Sequence, residues 1–290
     1  MYKKVQKVRL FILSKFWAPW RVIERRHHSR MRQDNVFFVV LGVPRSGTSL
    51  LCRLLEASGV HFGRPEEMKR PNQFNPIGFY EYKNVMKISS ALLRQAGHKT
   101  PYDAPSRSLR ARTWYHRLFR VFSIIQFQAR IVELSARGER VGLKLTAPAF
   151  YYLLGQYIPN VKMVCIFREP TAASYSNINR SIYGLTFPQT LAGWPRANLD
   201  LIYHASLNES IVVEYGDLLD EKTRQQTLEK IVSFVGGGKV EALGTLIEEP
   251  LNRSDKTTER LRETYPLPRE TRVVLDALRA MKRRTHLKAS

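Results

Sequence analysis

The stretch VFFVVLGVPRSGTSLLCRLLE, Val36 to Glu56, constrains the fold more than any other part of the chain. An unbroken apolar run ends at Gly42, a short loop of small and basic residues follows, and apolar residues then recur at helical spacing. A strand without polar alternation is buried on both faces, which is the habit of parallel sheets covered by helices. The frame Gly42-Val-Pro-Arg-Ser-Gly47-Thr48-Ser49 fits the phosphate-cradling template Gly-x-x-x-x-Gly-Lys-[Ser/Thr], except that Thr48 stands in the lysine position. Gly42 and Gly47 let the backbone turn tightly against an anion, and the amides after Arg45 together with the helix start form an anion nest. The cation has moved three positions earlier, to Arg45, whose planar fork suits phosphate oxygens.

The rest of the chain repeats the strand-then-helix pattern. Short apolar runs predict strands at Val36–Val43, Val141–Leu145, Lys162–Phe167 and Ser210–Glu214. Helical periodicity predicts Thr48–Ala57, Lys83–Gln95, Trp114–Leu134, Thr171–Ser181, Leu199–Leu207, Lys222–Val235 and Glu270–Lys282. In the longest of these, the stripe Trp114, Leu118, Val121, Ile125, Ala129 and Val132 is the expected core face. Residues 62–82, 97–113 and 181–197 read as variable loops. The fold class that follows is α/β, a three-layer parallel β-sheet flanked by helices. In such sheets ligands sit beyond the carboxyl ends of the strands, so the Gly42–Gly47 loop, Leu145, Phe167 and Tyr215 should converge.

The chain of 290 residues carries a net charge of +22 and a pI near 10.3, a field that concentrates anions at its surface. Residues 1–32 hold ten Lys or Arg against one acid, Glu24. Within them LFILSKFWAPW is apolar but interrupted by Lys15 and too short to span a bilayer, so residues 1–35 are set apart as a basic amphipathic segment preceding a domain at 36–290. Such a segment suits the anionic inner face of a membrane, and equally a helix docked on the domain or a basic arm. Cys52 and Cys165 sit in apolar stretches with no disulfide or zinc spacing, which fits a reducing, cytoplasmic setting.

PRSGTSLL after a buried strand resembles the 5′-phosphosulfate loop of sulfotransferases that use 3′-phosphoadenosine-5′-phosphosulfate (PAPS). KMVCIFREPTAASYSNINR resembles their second signature, with Arg168, Pro170 and Ser176 at the family's spacing. NPIGFYEYKNVMKISSALL resembles the Asn-Pro-x-Gly-aromatic-aromatic-Glu segment of bacterial-type members. GLKLTAP resembles their strand-end lysine segment, with Leu145 and Thr146 where the family often has Asp. VVEYGDLL and EEPLNRSDK resemble the late strand and a C-terminal basic segment. The likeness spans about residues 36–256 and implies a sulfotransferase fold of the kind related to P-loop nucleoside-triphosphate hydrolases.

What the resemblance implies is transfer of a sulfuryl group from PAPS to an acceptor hydroxyl or amine, leaving adenosine 3′,5′-bisphosphate. Arg45 with Ser46, Gly47, Thr48, Ser49 and Leu50 would take the 5′-phosphate, and Arg168 with Ser176 the 3′-phosphate. Tyr215 would stand behind the loop and Arg253 over the adenosine end. Lys144 would contact the sulfuryl oxygens. Glu81 is the first candidate for the base that takes the acceptor's proton, because aromatic neighbours would desolvate it; Glu66 and Glu67 are the second, and His61 a weaker rival. The abundant Arg favours an anionic glycan or glycolipid acceptor, with Trp194, Tyr183, Phe187, Tyr102 and His98 available to stack on it. Two other classes stay open. One is a P-loop kinase or NTPase, against which Thr48 and the lack of a strand-ending Asp for Mg²⁺ argue. The other is a non-enzymatic binder of nucleic acid or a membrane surface, for which no specific nucleic-acid module is present.

Overall fold

The computed structural model describes residues 35–73, 75, 78–95, 114–145, 148–179, 184–247 and 255–287. Four strands, β1 (Val36–Leu41), β2 (Arg140–Leu145), β3 (Val161–Phe167) and β4 (Glu209–Glu214), form a wholly parallel sheet in the order β2-β1-β3-β4. β1 and β3 are the two inner strands. From Phe37 to Leu41 and from Met163 to Phe167 their side chains are at most 2% exposed, as the absence of polar alternation requires. The order reverses direction between β1 and β3, so the crevice beyond their carboxyl ends is the topological switch point where a sheet of this class holds ligand.

Helices cover both faces. α1 (Thr48–Ala57) packs on β1 and β2, while the long helices α2 (Lys83–Gln95) and α3 (Trp114–Ser135) pack on each other. Beyond β2 come α4 (Pro148–Leu154), α5 (Pro170–Ile178) and α6 (Phe187–Leu207), with α4 and α5 both against α6. After β4 follow α7 (Tyr215–Leu219), α8 (Glu221–Val235), α9 (Val240–Gly244), α10 (Asp255–Thr264) and α11 (Arg269–Leu287). α11 lies along α6 and β4, and α9 reaches back to α1.

Two sequence expectations are corrected here. The buried face of α3 runs through Ile124, Phe127, Gln128, Ile131 and Leu134, about 100° from the expected stripe; Ala129 is exposed and Ile125 and Val132 only half-buried. Apolar residues occupy more than one face of this helix, so its period does not choose between them. Residues 187–197, expected in a loop, are the first half of α6, which passes through Pro195. Thr186 caps it reciprocally with Gln189, and Pro188 sits in the first turn where its missing N–H costs nothing. Residues 1–34, 97–113 and Arg253 lie outside the described residues, so the expectations placed on them, Tyr102 and His98 included, have no structural counterpart here. Among the described residues no helix is long and apolar enough to cross a membrane.

The segment after α1 is clamped to α3. The turn at Pro65–Glu67 presents Glu67 to Arg137 at 2.7 and 2.8 Å and to Arg130 Nη2 at 2.5 Å, while the Arg130 guanidinium lies 4.4 Å from the Tyr82 ring centroid. Hydrogen bonds from Arg137 and then Arg130 hold the Glu67 carboxyl well below the usual carboxylate range. A carboxyl depressed in the folded state stabilises it at neutral pH, and that contribution drains away as pH falls below the ordinary value of about 4.3. Glu67→Gln should therefore cost about 2 kcal/mol at pH 7 by urea denaturation, from lost charge-assisted bonds. It should also flatten the decline of stability on acidification; an unchanged acid limb would show that Glu67 does not carry it.

Candidate active site

The chain leaves β1 at Leu41 and turns through Gly42–Gly47 into α1. Arg45 (φ 73°) and Gly47 (φ 90°) both adopt left-handed backbone, which turns successive amides inward as a nest requires. Gly47 is the N-cap of α1, and the helix start has neither a side-chain cap nor an acidic residue in its first turn. Amides in the first turn of a helix lack intrahelical acceptors, so this end offers donors and positive potential to an anion. Ser46 is fully buried and its hydroxyl has no hydrogen-bond partner among the described residues. Thr48 is buried with its methyl against Gly42, and the Leu50 side chain belongs to the core, which leaves Leu50 its amide as the group it can offer an anion.

The second signature meets this loop. Arg45 Nε donates to Ser176 Oγ at 3.0 Å, joining the loop after β1 to the helix after β3. Asn177, next to Ser176, donates to Pro44 O at 3.4 Å, a second tie that the sequence reading missed although it adjoins the motif. The Arg168 guanidinium stands 4.8 Å from the centroid of the Tyr215 ring. Tyr215, buried at the end of β4, lies against Gly47 so closely that a Cβ there would overlap its ring. Burial holds the Tyr215 phenol above its ordinary pKa, against the lowering effect of Arg168 and Arg45. Glu169 caps α5 by accepting from the amides of Thr171 and Ala172, and Arg262 of α10 reaches it at 3.3 Å. A cleft of about 180 Å³ beside Arg168 and Tyr215 is lined further by Glu169, Glu214, Thr258 and Arg262.

Lys144, 4% exposed near the end of β2, completes the other side. Its ammonium donates to Ser49 Oγ at 2.9 Å and Phe79 O at 2.5 Å, and Glu81 Oε1 lies 3.4 Å away. Glu81 Oε2 is 3.8 Å from Lys69, whose ammonium also sits 4.0 Å over the Phe79 ring. Aromatic neighbours are present, as the sequence suggested, but the nearest charged groups to the Glu81 carboxylate are two ammoniums. Glu67, a second candidate for the base, has both oxygens engaged by two guanidiniums, those of Arg130 and Arg137. Glu66 is exposed and its carbonyl holds Lys83. His61 bridges to Val141 at the outer edge of the sheet. Trp194 is 1% exposed and donates to Arg168 O at 3.2 Å, so it props the end of β3 and cannot stack on an acceptor; Phe187 is likewise buried, against Tyr265. Tyr183 lies outside the described residues.

Known proteins resemble this chain in sequence and in fold. The model of the sulfotransferase family matches residues 38–237. Among solved structures, the sulfotransferase domain of the olefin synthase from Synechococcus PCC 7002 is similar, with a TM-score of 0.50 and 16% identity over 84% of this chain and 95% of that one. At that identity the likeness speaks for the fold. No curated protein matches.

Gly47→Ala should be among the most damaging single-methyl changes in the molecule, because it adds left-handed strain of about 1–2 kcal/mol to an overlap with a buried ring. The expected loss is roughly 3 kcal/mol by chemical denaturation, and in a Tyr215→Ala background the same change should cost only the strain. Equal losses in both backgrounds would refute the packing of Tyr215 on the loop.

Proposed function

The chain belongs to the sulfotransferase family, and on that premise we propose that it transfers a sulfuryl group from PAPS to a hydroxyl or amine of an anionic glycan or glycolipid. The observation that carries this reading is the 3.0 Å bond between Arg45 and Ser176, which puts the two anion-binding signatures into one crevice. PAPS supplies an activated sulfuryl group and a 3′-phosphate that ATP lacks, and the crevice has a separate set of donors for each end. The uncapped start of α1, with Arg45, Ser46, Gly47, Thr48, Ser49 and the Leu50 amide, would hold the 5′-phosphate. Arg168 and Ser176 would hold the 3′-phosphate, with Arg253 as a further contact at that end. Tyr215 fixes the loop from behind and orients Arg168 by cation–π attraction.

In sulfuryl transfer negative charge builds on the oxygen that leaves, so positioned cations are the main catalytic resource. Arg45 stands at the loop apex for that purpose. Lys144 directs its protons at Ser49, Phe79 O and Glu81, so it reaches a sulfuryl oxygen by exchanging one of these partners. Of the three carboxylates weighed as base, Glu81 is the one beside Lys144, and it would accept the acceptor's proton as the new S–O bond forms.

The acceptor class rests on charge. The net +22 and the exposed Arg64, Arg70, Lys83 and Lys87 flanking the Glu81 segment suit an anionic chain or headgroup, and residues 1–32 would bring the enzyme to the anionic cytoplasmic face of a membrane. A kinase or NTPase fits less well: Thr48 stands where the phosphate-cradling template has its lysine, and the strands adjoining β1 end in Leu145 and Phe167 rather than in an aspartate.

Incubation with ³⁵S-labelled PAPS and a panel of acidic polysaccharides, glycolipids and phenols should label a glycan or glycolipid without added magnesium, and Arg45→Ala should lower turnover by two or more orders of magnitude. Labelling of phenols alone would overturn the acceptor class. Phosphoryl transfer from ATP with no sulfate transfer would overturn the donor.

A further inference from the structure

Ser49, the second residue of α1, has a hydroxyl with two acceptor lone pairs and one proton. Lys144 Nζ and Asn75 Nδ2 both approach its oxygen at 2.9 Å. An ammonium can only donate. The atom of Asn75 facing Ser49 also lies 2.5 Å from Gly78 O, a carbonyl that can only accept, so this atom is the amide nitrogen and it too donates. With both lone pairs filled, the proton of Ser49 has to point away from Lys144 and Asn75. Ser49 is the second residue of a helix whose start has no side-chain cap, so this proton is the one left to face an anion held there.

We propose that Asn75 is a positioning residue: together with Lys144 it makes Ser49 an obligatory hydrogen-bond donor towards the anion held at the start of α1. This rests on the reading of that site as the 5′-phosphate cradle. Asn75 is itself bonded through its backbone. Its amide bonds to Asn72 O at 3.0 Å and Asn72 Oδ1 at 3.1 Å, and its carbonyl accepts from Asn72 at 3.3 Å and Gly78 at 3.2 Å. The arrangement also passes the charge of a buried ammonium to the anion through one polarised O–H, because a hydroxyl that accepts from a cation becomes a stronger donor. Lys144 thereby favours anion binding while its own protons stay on Ser49, Phe79 and Glu81.

The test is a double-mutant cycle read by calorimetric titration with adenosine 3′,5′-bisphosphate. Ser49→Ala and Asn75→Ala should each weaken binding about ten-fold or more, the worth of one hydrogen bond to a charged group, and the double variant should be no weaker than Ser49→Ala alone. If Asn75→Ala does not fold, Asn75→Leu, which keeps the branch at Cγ and the number of side-chain heavy atoms, completes the same cycle. Additive losses would mean that Asn75 acts by holding its loop, and would overturn the inference while leaving the donor assignment standing. An unweakened Asn75 variant would overturn it equally. Failure of the unsubstituted protein to bind the bisphosphate would sink the donor assignment, and this inference with it.

Discussion

The bond between Arg45 Nε and Ser176 Oγ joins two segments 131 residues apart in the chain, and the architecture of the site depends on what brings them together. β1 and β3 pair in parallel through Leu41 and Cys165, so the loops that follow them open on the same side of the sheet. Ile166 O lies so close to Gly42 that a Cβ there would meet it, which ties the start of the Gly42–Gly47 loop to the next strand. Tyr215, at the end of β4, then fills the space behind Gly47 and faces Arg168. A register slip of one residue between β1 and β3 would turn every inner side chain to the opposite face and separate these groups.

Gathering cations in one crevice costs repulsion, and the surrounding acids show how the chain limits it. Several carboxylates serve as clamps at the edges rather than as ligands in the centre. Glu67 binds Arg130 and Arg137; Glu214 binds Arg279 and Lys282, fastening α11 to the end of β4 next to Tyr215. Burial would raise the Glu214 carboxyl, but hydrogen bonds from Arg279 and Lys282 outweigh it and leave the group below its ordinary value. The elements that carry the crevice are thus fixed by ion pairs at its rim. Within it, neutral groups direct charge alongside the Glu81 carboxylate: a serine between Lys144 and the loop, a serine beside Arg45, a tyrosine ring under Arg168.

Much of this was legible in the chain because the strands are uniformly apolar. Each expected strand lies within two residues of its observed bounds, and α1 and α2 match theirs. The turns from β1 into α1 at Gly42–Gly47 and from β3 into α5 at Arg168–Pro170 were legible because glycine and strand-end arginine are local signals. What was not legible depends on tertiary contact. The buried face of α3 could not be chosen from a helix apolar on several sides. Trp194 looked like an acceptor platform until Gly193 and Pro195 proved to lie inside α6, with the indole bonded to Arg168 O. Glu67 and Glu81 were both candidates for the base, yet one is clamped by the guanidiniums of Arg130 and Arg137, more than sixty residues away, and the other faces Lys144. Asn75 opens the Asn-Pro-x-Gly segment that stands out in the sequence, but its bond to Ser49, 26 residues away, has no local signature.

The central claim is that one nucleotide touches both sets of donors, the 5′ end at Arg45 and the 3′ end at Arg168. Calorimetric titration of adenosine 3′,5′-bisphosphate against adenosine 5′-monophosphate tests it directly, in the unsubstituted protein and in Arg168→Ala. The account expects a preference for the bisphosphate on the order of 100-fold, from charge-assisted bonds to the second phosphate, narrowing to a few-fold in the variant. Equal affinity for the two nucleotides, or a preference that survives Arg168→Ala, would contradict it.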